Sequence, residues 1–215
     1  MADIYAFGWR LLQGLGVTFA ISFTSMLIAL VGGLLFGFLM TLPNRFLRFF
    51  CRFYLELIRF VPILVWLFIF YFSLAAWGDW HWPAYVVCIL VFSLWGIAEM
   101  GDLVRGALTS IDKHQSETAF ALGLSKAQVF LWVLLPQSIR RVLPGVVNLL
   151  TRMVKTTALA ALIGVVEVVK VAQQIIELHP WASFWIYGVV FIMYFIVCYP
   201  LSLLSAYLEQ KEQQS

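Results

Sequence analysis

Five long apolar stretches, separated by shorter polar segments, dominate the pattern of the sequence. They cover residues 17–40, 63–77, 84–108, 142–166 and 184–208. A helix needs about 20 residues to cross a bilayer core of about 30 Å, because each residue advances it by about 1.5 Å. In lipid every backbone N–H and C=O must be paired within its own segment, so we expect helices. The second stretch is short for a crossing unless it also takes in residues 54–61.

The composition supports this interpretation. Of the 215 residues, 63% are hydrophobic and 12% are charged, about half the charged share of an ordinary soluble domain. A chain with so little charge is not a soluble enzyme, a nucleic-acid-binding domain or a disordered protein. We therefore predict an all-α integral membrane protein with one transmembrane domain over residues 1–215. Three cysteines, Cys51, Cys88 and Cys198, lie far apart in apolar stretches without a metal-binding spacing, so we expect no metal ligands.

The distribution of Lys and Arg predicts the orientation. Ten of the fourteen such residues fall in a predicted first loop (residues 43–59), in the long segment 109–141 with its flanks, or in the C-terminal tail, against two, Arg10 and Lys170, on the other side. Basic residues accumulate in cytoplasmic segments, which places the N-terminus outside and the C-terminus in the cytoplasm. The aromatic turn at 77–83 is then an outer interfacial belt, where we expect His81 to be solvated rather than a ligand.

The segment 109–141 is too long and too regularly patterned to be a passive connection. Asp112 is a suitable N-cap for a short amphipathic helix, Gly123 allows a sharp bend, and Ser125 caps a second helix that we expect to end at Pro136. Two short helices bent at a glycine fit either a groove on a cytoplasmic partner or the surface of the membrane. The pattern alone favours neither.

The same segment carries a family motif. Glu117-Thr118-Ala119 is followed by Gly123 six residues after the Glu, and Pro136 of a Leu-Pro pair lies thirteen residues after the Gly. This arrangement resembles the EAA motif of permease subunits in ATP-driven (ABC) importers, with Thr118 in place of an Ala.

Further stretches resemble the polar amino acid branch of that family, and the resemblance extends over residues 14–207. They are Arg59-Phe60-Val61-Pro62 for Arg-Gly-Thr-Pro, Asp102 to Gly106 for Glu-x-x-Arg-Gly/Ala, Leu135-Pro136-Gln137, Leu143-Pro144, and Lys155 to Leu159 for Lys-Asp-Thr-Ser-Leu. The chain departs from the pattern at Phe60, Val61, Asp102 and Thr156.

The resemblance implies a type I importer permease fold with five transmembrane helices and a cytoplasmic two-helix coupling loop. It implies that the chain lies in the bacterial inner membrane beside a second permease chain, identical or homologous, and on a pair of ATP-binding subunits. It also implies an extracytoplasmic binding protein that delivers a polar amino acid. It also implies that the coupling helix docks on the ATPase through Glu117, Thr118, Ala119, Phe120, Gly123 and Leu124. Membrane lipid surrounds such a chain, and nucleic acid is not a partner.

The sequence has no Walker A pattern, so ATP and Mg²⁺ should bind on the partner ATPase. We therefore expect no catalytic residues, no cofactor in this chain and no enzymatic activity of its own. Two alternatives remain: half of an ion-driven secondary amino acid carrier, or a membrane assembly subunit that transports nothing.

Four charged residues fall well inside the predicted spans, and Arg105 lies at the inner boundary of the third. Glu99 and Asp102 lie in the third span, and Arg152 and Lys155 lie in the fourth. Each costs about 2.5–3.5 kcal/mol in a bilayer, so we expect the two pairs to meet at a similar depth. They either line the substrate path or form a structural ion-pair network. Asp102 also lies three residues before Arg105, which predicts a local pair.

Two weaker patterns complete the prediction. Gly33 and Gly37 form a GxxxG spacing that allows close helix packing. Residues 167–177 have apolar and polar faces at helical spacing, which predicts an interfacial helix on the outer side. That helix belongs to an outer gate or a docking surface for the binding protein, or it rests on the membrane.

Overall fold

The computed structural model describes residues 2–73, 76 and 82–213, and every regular element in these residues is a helix. The α-helices are α1 (Ala2–Thr41), α2 (Arg45–Phe60), α3 (Ile63–Phe68), α4 (Ala84–Thr109), α5 (Lys113–Ala121), α6 (Lys126–Gln128), α7 (Leu135–Thr156), α8 (Val168–Leu178) and α9 (Ser183–Gln213). The predicted aromatic turn, including His81, lies outside the described residues except for Trp82 and Pro83.

Helices α1 and α4 pack closely and run in the same direction. A Cβ atom added at Gly33 would lie 2.4 Å from Cβ of Met100, and one added at Gly37 would lie 2.6 Å from Cβ of Val104. The predicted close packing at the GxxxG spacing is confirmed. The contacts advance in the same order along both helices. Helix α1, which ends at Thr41, and helix α4, which ends at Thr109, therefore end at the same face of the membrane.

The chain between these two parallel helices must return across the membrane once, and a broken span makes this crossing. Helix α2 and the segment Ile63–Ser73, which is α3 continued by a π-helical turn, meet at an angle of 96°. Pro62 follows extended Val61 at the break, because a proline disfavours helical geometry in the residue before it. Residues 43–59 were predicted as a loop, and this was wrong: Asn44 accepts hydrogen bonds from two backbone N–H groups and starts α2.

The fourth crossing is longer than the apolar pattern predicts. The candidate span runs from Lys126 to Ile163, through a π-helical turn (Val129–Leu134), α7 and a 3-10 turn (Thr157–Ile163). The expectation that the second loop helix ends at Pro136 is therefore wrong. Pro136 occupies the first turn of α7, where its missing N–H and fixed φ are tolerated.

Helix α7 runs antiparallel to α4 and to α9. A Cβ at Gly145 would approach Leu103, one at Gly96 would approach Met153, and the Ser205 hydroxyl donates to the Pro144 carbonyl. Among the described residues, four helices are long and apolar enough to span a bilayer, and the bent pair of α2 and α3 supplies a fifth crossing. The predicted fold of five transmembrane helices is confirmed.

Candidate substrate path and coupling loop

A cluster of charges joins three helices beside an open cavity. Oε1 of Glu99 on α4 lies 2.9 Å from Nε of Arg59 on α2, and its Oε2 lies 2.8 Å from Nη1 of Arg152 on α7. The Glu99 side chain is 13% exposed. One carboxylate thus bridges two guanidinium groups and connects α2, α4 and α7.

Asp102 extends the cluster by one turn of α4. It lies 2.8 Å from Nη2 of Arg59 and 2.6 Å from Nη2 of Arg105. The predicted local pair of Asp102 and Arg105 is therefore present. Because three arginines surround two carboxylates, the cluster carries a net positive charge.

The cluster differs from the predicted one in two members. Arg59 contacts both carboxylates, although the sequence placed it in a loop. Lys155 forms no ion pair among the described residues and lines a separate cleft of about 350 Å³ against α9, beside Cys198. The Arg-x-x-Pro stretch of the family resemblance was the available signal for Arg59, but only the packing of α2 against Ala98 brings it to α4.

Helix α7 exposes polar side chains along one face inside its span. Asn148, Arg152 and Lys155 are separated by four and three residues, and all three are exposed. The guanidinium of Arg152 also lies 5.1 Å from the ring centre of Trp95. On α9, by contrast, the exposed side chains include many large apolar ones, such as Phe191 and Ile196.

Most of these charged and polar groups line an open cavity of about 480 Å³. Its lining includes Arg59, Glu99, Asp102 and Arg152, and it continues along α7 past Asn148. A cavity of this size with both charge signs on its wall can hold a small zwitterion, with its carboxylate near an arginine and its ammonium near a carboxylate.

The loop between α4 and α7 has the predicted shape. Asp112 caps α5 through the backbone N–H of His114, and Ser125 and Gln128 form a reciprocal capping box at α6. Gly123 has φ +84°, a conformation that glycine adopts without strain. The two predicted caps and the bend are all present.

The outer surface of this loop includes large apolar side chains. Phe120 is 46% exposed and Leu122 is 79% exposed, and Leu131 and Trp132 are exposed nearby. Glu117 and Thr118 are exposed beside them, whereas Ala119 is buried against the rest of the chain. The small side chain of Ala119 therefore serves packing within the chain, and Leu122 joins the exposed surface although it was not among the predicted docking residues.

The loop is attached to the membrane helices. Nη1 of Arg141 on α7 donates to the Ser110 hydroxyl at 2.7 Å, and the Gln137 amide donates to Gln115 at 3.4 Å. Glu117 and Lys113 form no ion pair among the described residues. The Glu117 carboxylate is thus available on the loop surface.

On the opposite side of the membrane, α8 packs between α1 and α9. Val168, Val171 and Ile175 are buried in a cluster with Leu11 and Ile186. The predicted helix is present, but it is embedded in the bundle rather than resting on the membrane, because its apolar face meets protein side chains.

Glu167 caps α8 by accepting hydrogen bonds from the backbone N–H groups of Val169 and Lys170. Its carboxyl group is fully buried, and the Thr18 hydroxyl on α1 donates to it at 3.4 Å. Burial raises the pKa of this carboxyl group in spite of these bonds.

Residues 33–214 match the family described as "Binding-protein-dependent transport system inner membrane component". The chain is 34% identical over 200 residues to the probable amino-acid ABC transporter permease protein YckA of Bacillus subtilis, which covers 93% of this chain and 88% of that protein. It is 32% identical over 191 residues to the glutamate/aspartate import permease protein GltJ of Escherichia coli, covering 82% and 77% of the two chains.

Solved structures show the same fold. A crystal structure of an amino acid ABC transporter with histidines matches with a TM-score of 0.89 at 24% identity and covers 98% of this chain and 97% of that chain. The inward-facing methionine ABC transporter MetNI matches with a TM-score of 0.75 at 18% identity, over 95% and 96%. The chain thus belongs to the family of inner-membrane components of binding-protein-dependent transport systems, the permease subunits of ABC importers, as its EAA motif predicted.

Proposed function

We propose that this permease subunit imports a polar amino acid through the charged cavity, driven by ATP hydrolysis on a partner chain. The cluster of Glu99 with Arg59 and Arg152 carries the proposal, because free amino acids are zwitterions and this wall offers both charge signs. The relatives named as amino-acid and glutamate/aspartate permeases support this substrate class.

The polar face of α7 indicates where the path lies. Exposed Asn148, Arg152 and Lys155 would be costly against hydrocarbon, so this face needs water, substrate or a second protein chain beside it. A second permease chain, identical or homologous, would close the open cavity from the other side. Substrate would then pass between the two chains.

The apolar surface of the loop supports docking on an ATPase. Exposed Phe120 and Leu122 offer hydrophobic anchors, and Glu117 offers a charge for a basic residue in the partner's groove. The hydrogen bond from Arg141 to Ser110 links the loop to the polar helix α7. Closure of an ATPase dimer would move this link and thereby the wall of the cavity.

The orientation follows from the same assignment. The loop and the C-terminus lie in the cytoplasm with the ATPase, ATP and Mg²⁺, and the N-terminus lies outside. Helix α8, embedded near the outer ends of α1 and α9, is part of the surface that receives the binding protein. The excess of basic residues on the loop side supports this direction.

A purification tests the proposal. The tagged chain is extracted in mild detergent, and copurifying ATPase activity is measured with and without a binding protein and a panel of amino acids. We expect an ATPase subunit whose turnover rises with the loaded binding protein. A chain that carries no ATPase and transports amino acids only with an ion gradient would instead be half of a secondary carrier, and a chain with neither activity would be an assembly subunit.

The docking surface has its own test. The substitution Leu122→Ser should weaken ATPase copurification about tenfold, since an exposed apolar anchor contributes more than about 1 kcal/mol to an interface. The matched control is Leu178→Ser, which replaces an exposed leucine at the end of α8 on the other side of the membrane. Equal ATPase recovery in both variants would contradict the docking role of Leu122.

A further inference from the structure

Helix α2 presents three different faces along its length. Cys51, Leu55 and Ile58 are buried against the bundle. Arg45, Arg48 and Arg52 share a second face, because they are separated by three and four residues. The third face is a row of phenylalanines at positions 46, 49, 50 and 53, all more than half exposed.

The first three arginines of α2 have no acidic partner among the described residues. The ion pairs there include Arg59 at the end of α2, but not Arg45, Arg48 or Arg52. Arg48 donates one hydrogen bond to the Leu42 carbonyl at 3.2 Å, and a guanidinium has five N–H donors. Glu56 lies one turn past Arg52 without forming an ion pair.

The position of α2 places these arginines at the membrane surface. The helix begins four residues after Thr41, and Arg59 near its end reaches Asp102, which is seven residues or about 10 Å from Thr109. Sixteen residues of helix extend about 24 Å, so α2 rises at a shallow angle. Arg45 and Arg48 thus lie near the level at which α1 and α4 end, with the phenylalanines turned away from the bundle.

We propose that α2 is a lipid-binding helix, in which Arg45, Arg48 and Arg52 bind the phosphates of anionic phospholipids and the phenylalanine row enters the acyl region. Guanidinium groups form strong hydrogen bonds with phosphate oxygens, and amphipathic helices with basic and aromatic faces lie at this boundary. This chemistry favours a lipid over a protein partner, because the exposed aromatic row adjoins the arginines over residues 45–53 of the slanted helix.

The site lies on the membrane face that the proposed function assigns to the cytoplasm, but lipid binding does not depend on transport. The permease complex, purified in non-ionic detergent and stripped of lipid, is titrated with palmitoyl-oleoyl phosphatidylglycerol or with the matching phosphatidylcholine. Bound lipid is counted by native mass spectrometry. We expect the wild-type complex to prefer phosphatidylglycerol.

The double variant R45Q/R52Q should lower phosphatidylglycerol affinity about 30-fold, because each arginine near an anionic surface contributes about fivefold. The charge-conserving variant R45K/R52K should retain most of the affinity. This result would show that R45Q/R52Q loses affinity through its missing charges and not through misfolding. The matched control R140Q/K211Q removes two other basic groups from the same membrane side, away from α2.

Three results would overturn the proposal. They are equal binding of the two lipids by the wild type, an equal loss of affinity in R140Q/K211Q, and release of a protein subunit rather than lipid from R45Q/R52Q. The last result would show that the arginines bind an acidic protein surface. Since lipid is counted on whatever complex the chain forms, failure of the amino acid proposal would leave this measurement valid.

Discussion

Two faces of the same helix, α4, have opposite chemistry. Toward α1 the helix presents Met100 and Val104, both buried, against glycines that leave no space for a side chain. Toward α2 and α7 it presents Glu99 and Asp102, which are partly exposed and paired with arginines on those two helices, and Arg105, which pairs with Asp102. The first face is fixed by van der Waals packing, and the second by ion pairs beside an open cavity.

The two faces of α4 differ in how easily their contacts can change. Close-packed apolar surfaces resist displacement, because any shift opens a void or forces atoms together. Ion pairs that share partners can exchange them, as a carboxylate between two arginines can release one of them to a bound substrate. We infer that α1 and α4 move as one body, and that Glu99 and Asp102 exchange arginine partners when the cavity opens and closes.

The largest expected effect is on the packed face. In Gly33→Leu the side chain would collide with Met100, where even a Cβ atom lies 2.4 Å from its neighbour. The expected cost is about 3 kcal/mol or more, seen as loss of folded chain by fluorescence-detected size exclusion. The control Gly16→Leu lies on the same helix with no atom within 4 Å of its Cβ and should fold normally. Equal yields of the two variants would show that the glycine packing does not hold α1 to α4.

A second prediction concerns the charged face. The double variant Glu99→Gln/Asp102→Asn leaves Arg59 and Arg152 without carboxylates, and we expect uptake to fall at least about tenfold at a normal yield of assembled complex. The cost to stability is small, since both arginines are at least a third exposed and screened by water.

The control for this variant is Glu56→Gln, which removes an exposed carboxylate of α2 that has no ion pair among the described residues. Uptake by reconstituted vesicles and the amount of assembled complex are measured together. Loss of assembly in the double variant, rather than of uptake, would identify the cluster as a structural network.

The smallest effect is expected at the edge of the cluster. In Arg105→Gln, Asp102 keeps its contact with Arg59, and a half-exposed pair three residues apart contributes only about 0.5 kcal/mol. Uptake should change less than about threefold. An effect as large as that of the double variant would indicate that the substrate binds nearer to the loop end of the cavity.

Much of this architecture follows from the sequence. The apolar stretches predicted the long helices, the GxxxG spacing predicted the close approach of α1, and the caps at Asp112 and Ser125 predicted the loop helices. These features depend on neighbouring residues along the chain. The interpretation of Pro136 failed because a proline is equally compatible with the end of one helix and the first turn of the next.

The membership of the charged cluster could not be predicted from spacing alone. Helix α2 carries four arginines and Glu56, so it was assigned to a loop, and only its packing against Ala98 of α4 places Arg59 beside Glu99. Lys155 shares a face with Arg152, but it lies beyond the reach of the carboxylates and faces α9 instead. Which side chains meet depends on how the helices are rotated and inclined against each other. The pattern of one helix alone does not determine this.

The most direct test compares two cysteines on α4, one turned toward each face. In Gly106→Cys the thiol would line the open cavity, where a Cβ atom meets nothing within 4 Å, and in Val104→Cys it would be buried against α1. The three native cysteines are buried. With a membrane-impermeant thiol reagent applied to the loop side, we predict rapid labelling at position 106, slowed when nucleotide closes the complex, and no labelling at position 104. Equal labelling at both positions, or an unreactive thiol at position 106, would contradict the assignment of one face to packing and the other to the substrate path.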